Sequence, residues 1–169
     1  MRMELIQPFV SSSDSVLGQL LDGPTVVGNP SMEEEAYRRK GVAAVISFQG
    51  DIEGRVIFDL ELETAFRIAG RLGGTETAAQ HPTEALASET LCELANMIVG
   101  NAVTLLNDRG FHFRVQPPEV HTDPEGLKGS YDTEAVVMSF ETPAGSVYLN
   151  VAMRYNRRRK TEREPALAV

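Results

Sequence analysis

The order of elements repeats along this chain, and that repeat limits the folds open to it more than any single motif does. A helix over Leu5–Leu21 is predicted from Val16, Leu17, Leu20 and Leu21 at three- and four-residue spacing. Pro8 falls in its first turn, where a missing N–H has no helical partner, and Asp22-Gly23-Pro24 is the stop. Thr25–Val27 is a brief strand candidate, and Asn29–Lys40 reads as a polar connection with the charge runs Glu33-Glu34-Glu35 and Arg38-Arg39-Lys40. Val42–Phe48 and Arg55–Leu60 form a predicted hairpin through Gln49-Gly50-Asp51. A helix over Glu61–Leu72 ends at Gly73-Gly74, and Thr75–Pro82 is a polar linker.

The second unit opens with the longest predicted helix, Thr83–Arg109, capped by Thr83 and closed by Gly110. Strand candidates follow at Phe113–His121, Thr133–Phe140 and Ser146–Arg154, the last two joined by the turn Glu141-Thr142-Pro143-Ala144-Gly145. Placing Leu20-Leu21-Asp22-Gly23 over Leu105-Leu106-Asn107-Asp108 brings the two units into step at an offset of 85 residues. The expectation is therefore one α/β (α+β) domain over 1–155. Its pseudo-twofold halves, about 5–73 and 83–154, each give a helix and three strands, with the long helices packed on an antiparallel or mixed sheet. Residues 156–169 lack a core pattern and are expected to form a loose basic tail.

Charge narrows the function classes. Up to Met153 there are 10 Lys and Arg against 22 Asp and Glu, and from Arg154 there are six against two. An acidic body argues against a nucleic-acid partner. The single cysteine, Cys92, excludes an internal disulfide and any Cys-cluster metal site. No apolar run approaches the roughly 18–20 residues that span a bilayer, so no membrane partner is expected. With Glu4 and Pro8 the start lacks the apolar core of a signal peptide. A reduced, cytoplasmic protein is the expectation.

At about 100° per residue, Leu91, Leu94, Ala95, Ile98, Ala102 and Leu105 of the long helix cluster on one side as a core stripe. Opposite them, within about 40° of one line, stand Glu89, Glu93, Asn96, Gly100 and Asn107. A polar face opposite the core is the rule for a surface helix. Two details go beyond it. Asn is a poor helix-interior residue, and a mid-helix Gly costs stability, for which close approach of another group is one reason.

The stretch Ser88-Glu89-Thr90-Leu91-Cys92-Glu93-Leu94-Ala95-Asn96-Met97-Ile98-Val99-Gly100-Asn101-Ala102 resembles the active helix of the CheX branch of the CheC/CheX/FliY chemotaxis phosphatases. That pattern is an Asp or Ser, three residues, Glu, two residues, Asn, and a Pro some 22 residues on. Glu93 and Asn96 match its Glu and Asn. Glu89 stands where the family has Asp or Ser, and Pro117 and Pro118 follow after 20 or 21 residues. The opening Pro8-Phe9-Val10-Ser11-Ser12 and the doubled layout are also similar to this branch. In the overlay Glu93 and Asn96 fall on Pro8 and Ser11, so one acid–amide site is expected, as in CheX, rather than the two of CheC proteins.

The resemblance implies hydrolysis of the aspartyl phosphate on a phosphorylated CheY-like receiver domain. Such a reaction needs a water held in line with phosphorus and compensation of charge. Asn96, a neutral amide, is expected to orient that water, since it donates and accepts without repelling the anion. Glu93 is expected to pair with the lysine beside the receiver's phosphate, with Glu89 and Gly100 on the docking face. The divalent metal, Mg2+, is expected on the receiver, with no metal or other cofactor on this chain. A homodimer is also implied. The alternative is a non-catalytic receiver- or switch-binding adaptor of the same fold, as the FliM middle domain is.

Other candidates are weaker. His81, His112 and His121 have no ligand spacing, and Cys92 reads as a packed thiol at the flank of the helix. Gly70-Arg71-Leu72-Gly73-Gly74 is a helix end without the strand and Gly-Lys-Ser/Thr of a phosphate loop. Arg157-Arg158-Arg159-Lys160 belongs to the solvated tail.

Overall fold

Alternate residues of four strands build the core. Val42, Ala44, Ile46 and Phe48, then Val56, Phe58 and Leu60, then Val136, Met138 and Phe140, then Val147, Leu149, Val151 and Met153 all enter one hydrophobic core. The structure, a computed structural model, describes residues 3–33, 40–72, 83–122 and 135–157. The strands are β1 (Val26–Val27), β2 (Ser31–Glu33), β3 (Val42–Gly50), β4 (Ile52–Leu60), β5 (Phe113–Val115), β6 (Glu119–His121), β7 (Ala135–Thr142) and β8 (Gly145–Tyr155). Helices α1 (Met3–Leu20), α2 (Leu62–Leu72) and α3 (Glu84–Asp108) pack against them. The residues 34–39 of the first charge run, the linker 75–82 with His81, and the tail beyond Arg157 lie outside the described residues.

Among the described residues every strand pairing is antiparallel, in the order β1-β7-β8-β4-β3-β5, with β2 also on β7 and β6 also on β3. That order reads the same from either edge once the halves are exchanged. Its centre is the β4–β8 pair, where Ile57 faces Asn150. The helices repeat too. At the offset of 85, buried Leu5, Ile6, Phe9, Val10, Ser13, Leu17 and Leu21 fall on buried Thr90, Leu91, Leu94, Ala95, Ile98, Ala102 and Leu106. Both helices close the same way. Asp22 (φ 49°) and Gly110 (φ 91°) are left-handed, and the next N–H, of Gly23 or Phe111, bonds back to the carbonyl of Gly18 or Leu106.

Several expectations are corrected. Phe113–His121 is two strands, because between Phe48↔Val115 and Val45↔Glu119 three residues, Gln116-Pro117-Pro118, face two on β3. Neither proline has an N–H for the ladder, so the strand bulges there. The other edge has the same device. Gly28-Asn29-Pro30 separates β1 from β2, which places a strand inside the expected polar connection. Gly28 N–H donates to Ser139 O at 2.8 Å, as Gln116 N–H does to Ser47 O at 2.9 Å.

Pro8 is not in a first turn. α1 begins at Met3, and Pro8 is its buried sixth residue. Proline has no N–H to give the carbonyl four residues back, that of Glu4, and Arg109 Nη1 at the end of α3 donates to it at 3.2 Å. Leu105 is also corrected, since it is exposed and Leu106 is buried in its place. The buried row Thr90, Leu94, Ile98, Ala102, Leu106 advances four residues at a time, and so drifts about 40° per step around the helix. No helix of the described residues is long and apolar enough to cross a membrane.

Candidate functional site

α3 is built to hold its exposed face steady. Thr83 caps it, accepting the Leu86 N–H at 3.1 Å, and Glu84 sits at its positive end. Leu91, Leu94, Ala95, Ile98 and Ala102 are fully buried below. From α1, the buried Ser12 hydroxyl donates to Ile98 O at 2.6 Å, fixing the backbone two residues past Asn96. That contact was not singled out from the sequence. Its signal was a serine at helical spacing between Phe9 and Val16, both in the buried stripe.

Glu89, Glu93, Asn96 and Gly100 lie where the periodicity put them, all exposed on α3 opposite the core. Glu93 and Asn96 are one turn apart, the spacing at which side chains on a helix are neighbours. Within the described residues the side chains of Glu89, Glu93 and Asn96 make no hydrogen bond or ion pair. Nothing among the described residues explains Gly100, since a Cβ there would meet none of their atoms within 4 Å. The face therefore offers two carboxylates and an amide with their bonding capacity unused, and an open step one turn beyond the amide.

Cys92 is half-buried beside this face, and burial pushes its thiol pKa up. Of the histidines, His112 is exposed, with its backbone N–H held by Asp51 Oδ2 at 2.8 Å, and His121 Nε2 lies 3.4 Å from Glu119 Oε1. Among the described residues no three His, Cys, Asp or Glu side chains are grouped to hold a metal ion. Pro117 and Pro118 sit in the edge bulge between β5 and β6. The position of Glu93 in the first half is taken by Pro8, which is buried, and that of Asn96 by Ser11, so α1 presents no second acid–amide pair.

Residues 42–141 match the family described as chemotaxis phosphatase CheX. The CheY-P phosphatase CheX of Thermotoga maritima is 26% identical over 121 residues, 71% of this chain and 76% of that protein. The CheX–CheY–BeF3–Mg2+ complex of Borrelia burgdorferi is 29% identical with a TM-score of 0.73, covering 90% of this chain and 99% of that one. A CheC-like superfamily protein of Shewanella sp. PV-4 shares the fold at 22% identity and a TM-score of 0.78, over 91% of this chain and 99% of that one.

Proposed function

The chain belongs to the chemotaxis phosphatase CheX family, and on that basis we propose that it hydrolyses the aspartyl phosphate of a CheY-type receiver domain. The observation that carries the reading is the Glu93–Asn96 pair. The two side chains are neighbours on α3, exposed, unengaged among the described residues, and inside the span that the family model matches. The relatives add the partner, since one is named for acting on phosphorylated CheY and another is solved in complex with CheY.

In the proposed step, water attacks phosphorus as the bond from phosphorus to the aspartyl oxygen breaks. The products are the receiver's free carboxylate and inorganic phosphate. Little covalent help is needed, so the contribution of this chain is position. Asn96 reaches into the receiver's pocket and orients the water through its amide, which accepts one hydrogen bond and donates another without adding negative charge. Glu93, one turn back, pairs with the cation beside the phosphoryl group and fixes the helix there. Glu89 extends that contact one turn further, and the absent side chain of Gly100 lets the receiver's surface close on the helix. The divalent metal is assigned to the receiver's own carboxylates. A homodimer is proposed as well, and light scattering at two concentrations tests it.

The deciding experiment follows phosphate loss from purified phosphorylated receivers of the same organism. Wild-type protein accelerates the decay, folded Asn96→Ala does not, and Glu93→Ala regains part of the rate at high protein concentration. Phosphorylation-dependent binding without acceleration for any receiver would leave only an adaptor.

A further inference from the structure

Asn96 is exposed, and its side chain bonds to nothing among the described residues, so the backbone of α3 alone sets where its amide points. Most of what holds that backbone is apolar. Leu91, Leu94, Ala95, Ile98 and Ala102 are fully buried, but the hydrophobic effect is non-directional, so it holds a helix down without fixing its roll. Directional contacts are fewer. The hydroxyls of Thr90 and Thr104 turn back within α3, to Leu86 O at 2.7 Å and Gly100 O at 2.9 Å. Among the described residues one hydrogen bond ties α3 along its length to another element, that from the Ser12 hydroxyl of α1 to Ile98 O at 2.6 Å. The next tie, from Arg109 Nη1 to the Glu4 carbonyl, lies thirteen residues past Asn96, about 20 Å along the axis.

Ile98 is two residues past Asn96, about 3 Å along α3 and about 200° around it. The bond therefore grips the helix almost directly beneath the amide, on the side that faces α1. A helix with its side chains has a radius of about 5–6 Å, so a roll of about 10° carries an outward amide through about 1 Å. A reacting group displaced by that much can lose about 10²-fold in rate. The bond is buried, where it is stronger than it would be in water. The adjacent serines have other fates. Ser11 is exposed and accepts from Gln7 Nε2 at 3.2 Å, and Ser13 is buried with no partner for its hydroxyl. Of three consecutive hydroxyls, the one that crosses to α3 meets it below Asn96.

We propose that Ser12 is a positioning residue for the reaction, its hydroxyl fixing the roll of α3 and so aiming the Asn96 amide at the attacking water. The inference rests on the function proposed above and adds to it a buried residue that never meets the receiver. Its loss falls on the chemical step. An in-line attack tolerates little displacement, whereas the longer side chain of Glu93 can follow its ionic partner.

The test uses full-length protein and a CheY-type receiver of the same organism, phosphorylated for turnover and charged with beryllofluoride and Mg2+ for binding. Ser12→Ala should melt within a few degrees of wild type and lower kcat about tenfold with KM within twofold. It should bind the charged receiver with wild-type affinity and stoichiometry, which a partly unfolded population would not. Ser12→Cys keeps the volume and exchanges the hydroxyl for a weak donor, so it should lose rate in the same way, and it decides the matter if the alanine variant does not fold. Ser13→Ala, the same change at the unpartnered hydroxyl beside it, should keep kcat within twofold. A kcat within twofold of wild type in the folded Ser12 variants would overturn the proposal. So would a loss of binding stoichiometry that accounts for the loss of rate, or an equal loss from Ser13→Ala. Each of these leaves the phosphatase reading intact. If wild-type protein speeds phosphate loss from no receiver, the proposed function itself falls, and the role of Ser12 with it.

Discussion

In the step proposed above, Glu93 and Asn96 meet the phosphoryl group with different charge, so their variants should fail differently. Asn96→Ala removes the water's partner and leaves the docking carboxylate, so kcat should fall about 10²-fold with binding of the charged receiver retained. Asn96→Asp keeps shape and one acceptor but places a second anion against the phosphate. It should lose both turnover and binding, which makes the isosteric change the more damaging one. Glu93→Gln keeps the volume and loses the ion pair, so its cost should appear in KM and shrink as salt rises. Single-turnover decay at several receiver concentrations separates the three. Cys92, in the turn before Asn96, is given no part in the proposed step. Burial raises its pKa, so the thiolate is scarce at neutral pH, and alkylation should accelerate only at pH values above those of a free thiol. By linkage the neutral thiol favours the fold, and this contribution is lost as pH rises past the thiol pKa of the unfolded chain.

Within α3, stability and the proposed docking make opposite demands at Gly100. Glycine in a helix interior costs about 0.5–1 kcal/mol relative to alanine, and here the added methyl would meet nothing within 4 Å. Gly100→Ala should therefore raise the melting temperature while weakening receiver binding, a pair of shifts that no folding defect produces. Thr83→Ala should do the reverse, costing about 1 kcal/mol of stability through the lost cap with the site's kcat unchanged. α3 was legible because each of its signals is local: the cap residue, the period, the closing glycine. The stripe of Glu89, Glu93, Asn96 and Gly100 was legible for the same reason. Leu105 was not, because which residues a helix buries at its far end depends on how its neighbours cross it. The split of β5 from β6 needed the partner strand's count of residues, since a bulge is a mismatch between two strands and neither states it alone. β2 has three residues and gains its identity from β7, more than 100 positions away.

The two halves do not correspond to two folding units, and the sheet order gives the reason. Among the described residues, β1 and β2 come from the first half yet pair only with β7 of the second, while β5 and β6 come from the second and pair only with β3 of the first. Each half thus supplies the edge of the other, and their inner strands meet in the nine-residue β4–β8 ladder from Ile52↔Tyr155 to Leu60↔Val147. The helices are joined likewise. Ser12 of α1 bonds to Ile98 of α3, and Arg109 from the end of α3 serves the carbonyl that Pro8 cannot. A fragment of residues 1–73 would expose one whole side of β4 and both sides of β1 and β2, along with the core face that α3 covers. Unpaired backbone of that extent and an uncovered apolar face do not persist in water as a fold. Fragments 1–73 and 83–157, purified separately, should each lack the far-ultraviolet signal of the folded chain and expose their backbone amides to rapid hydrogen exchange. Mixed in equal amounts they should recover native-like protection at β4 and β8, and with it the fixed Ile98 backbone on which the placement of Asn96 depends. A fragment of 83–157 that folded and protected its amides alone would mean that α3 needs neither Ser12 nor β3, and that the functional face could be detached from the first half.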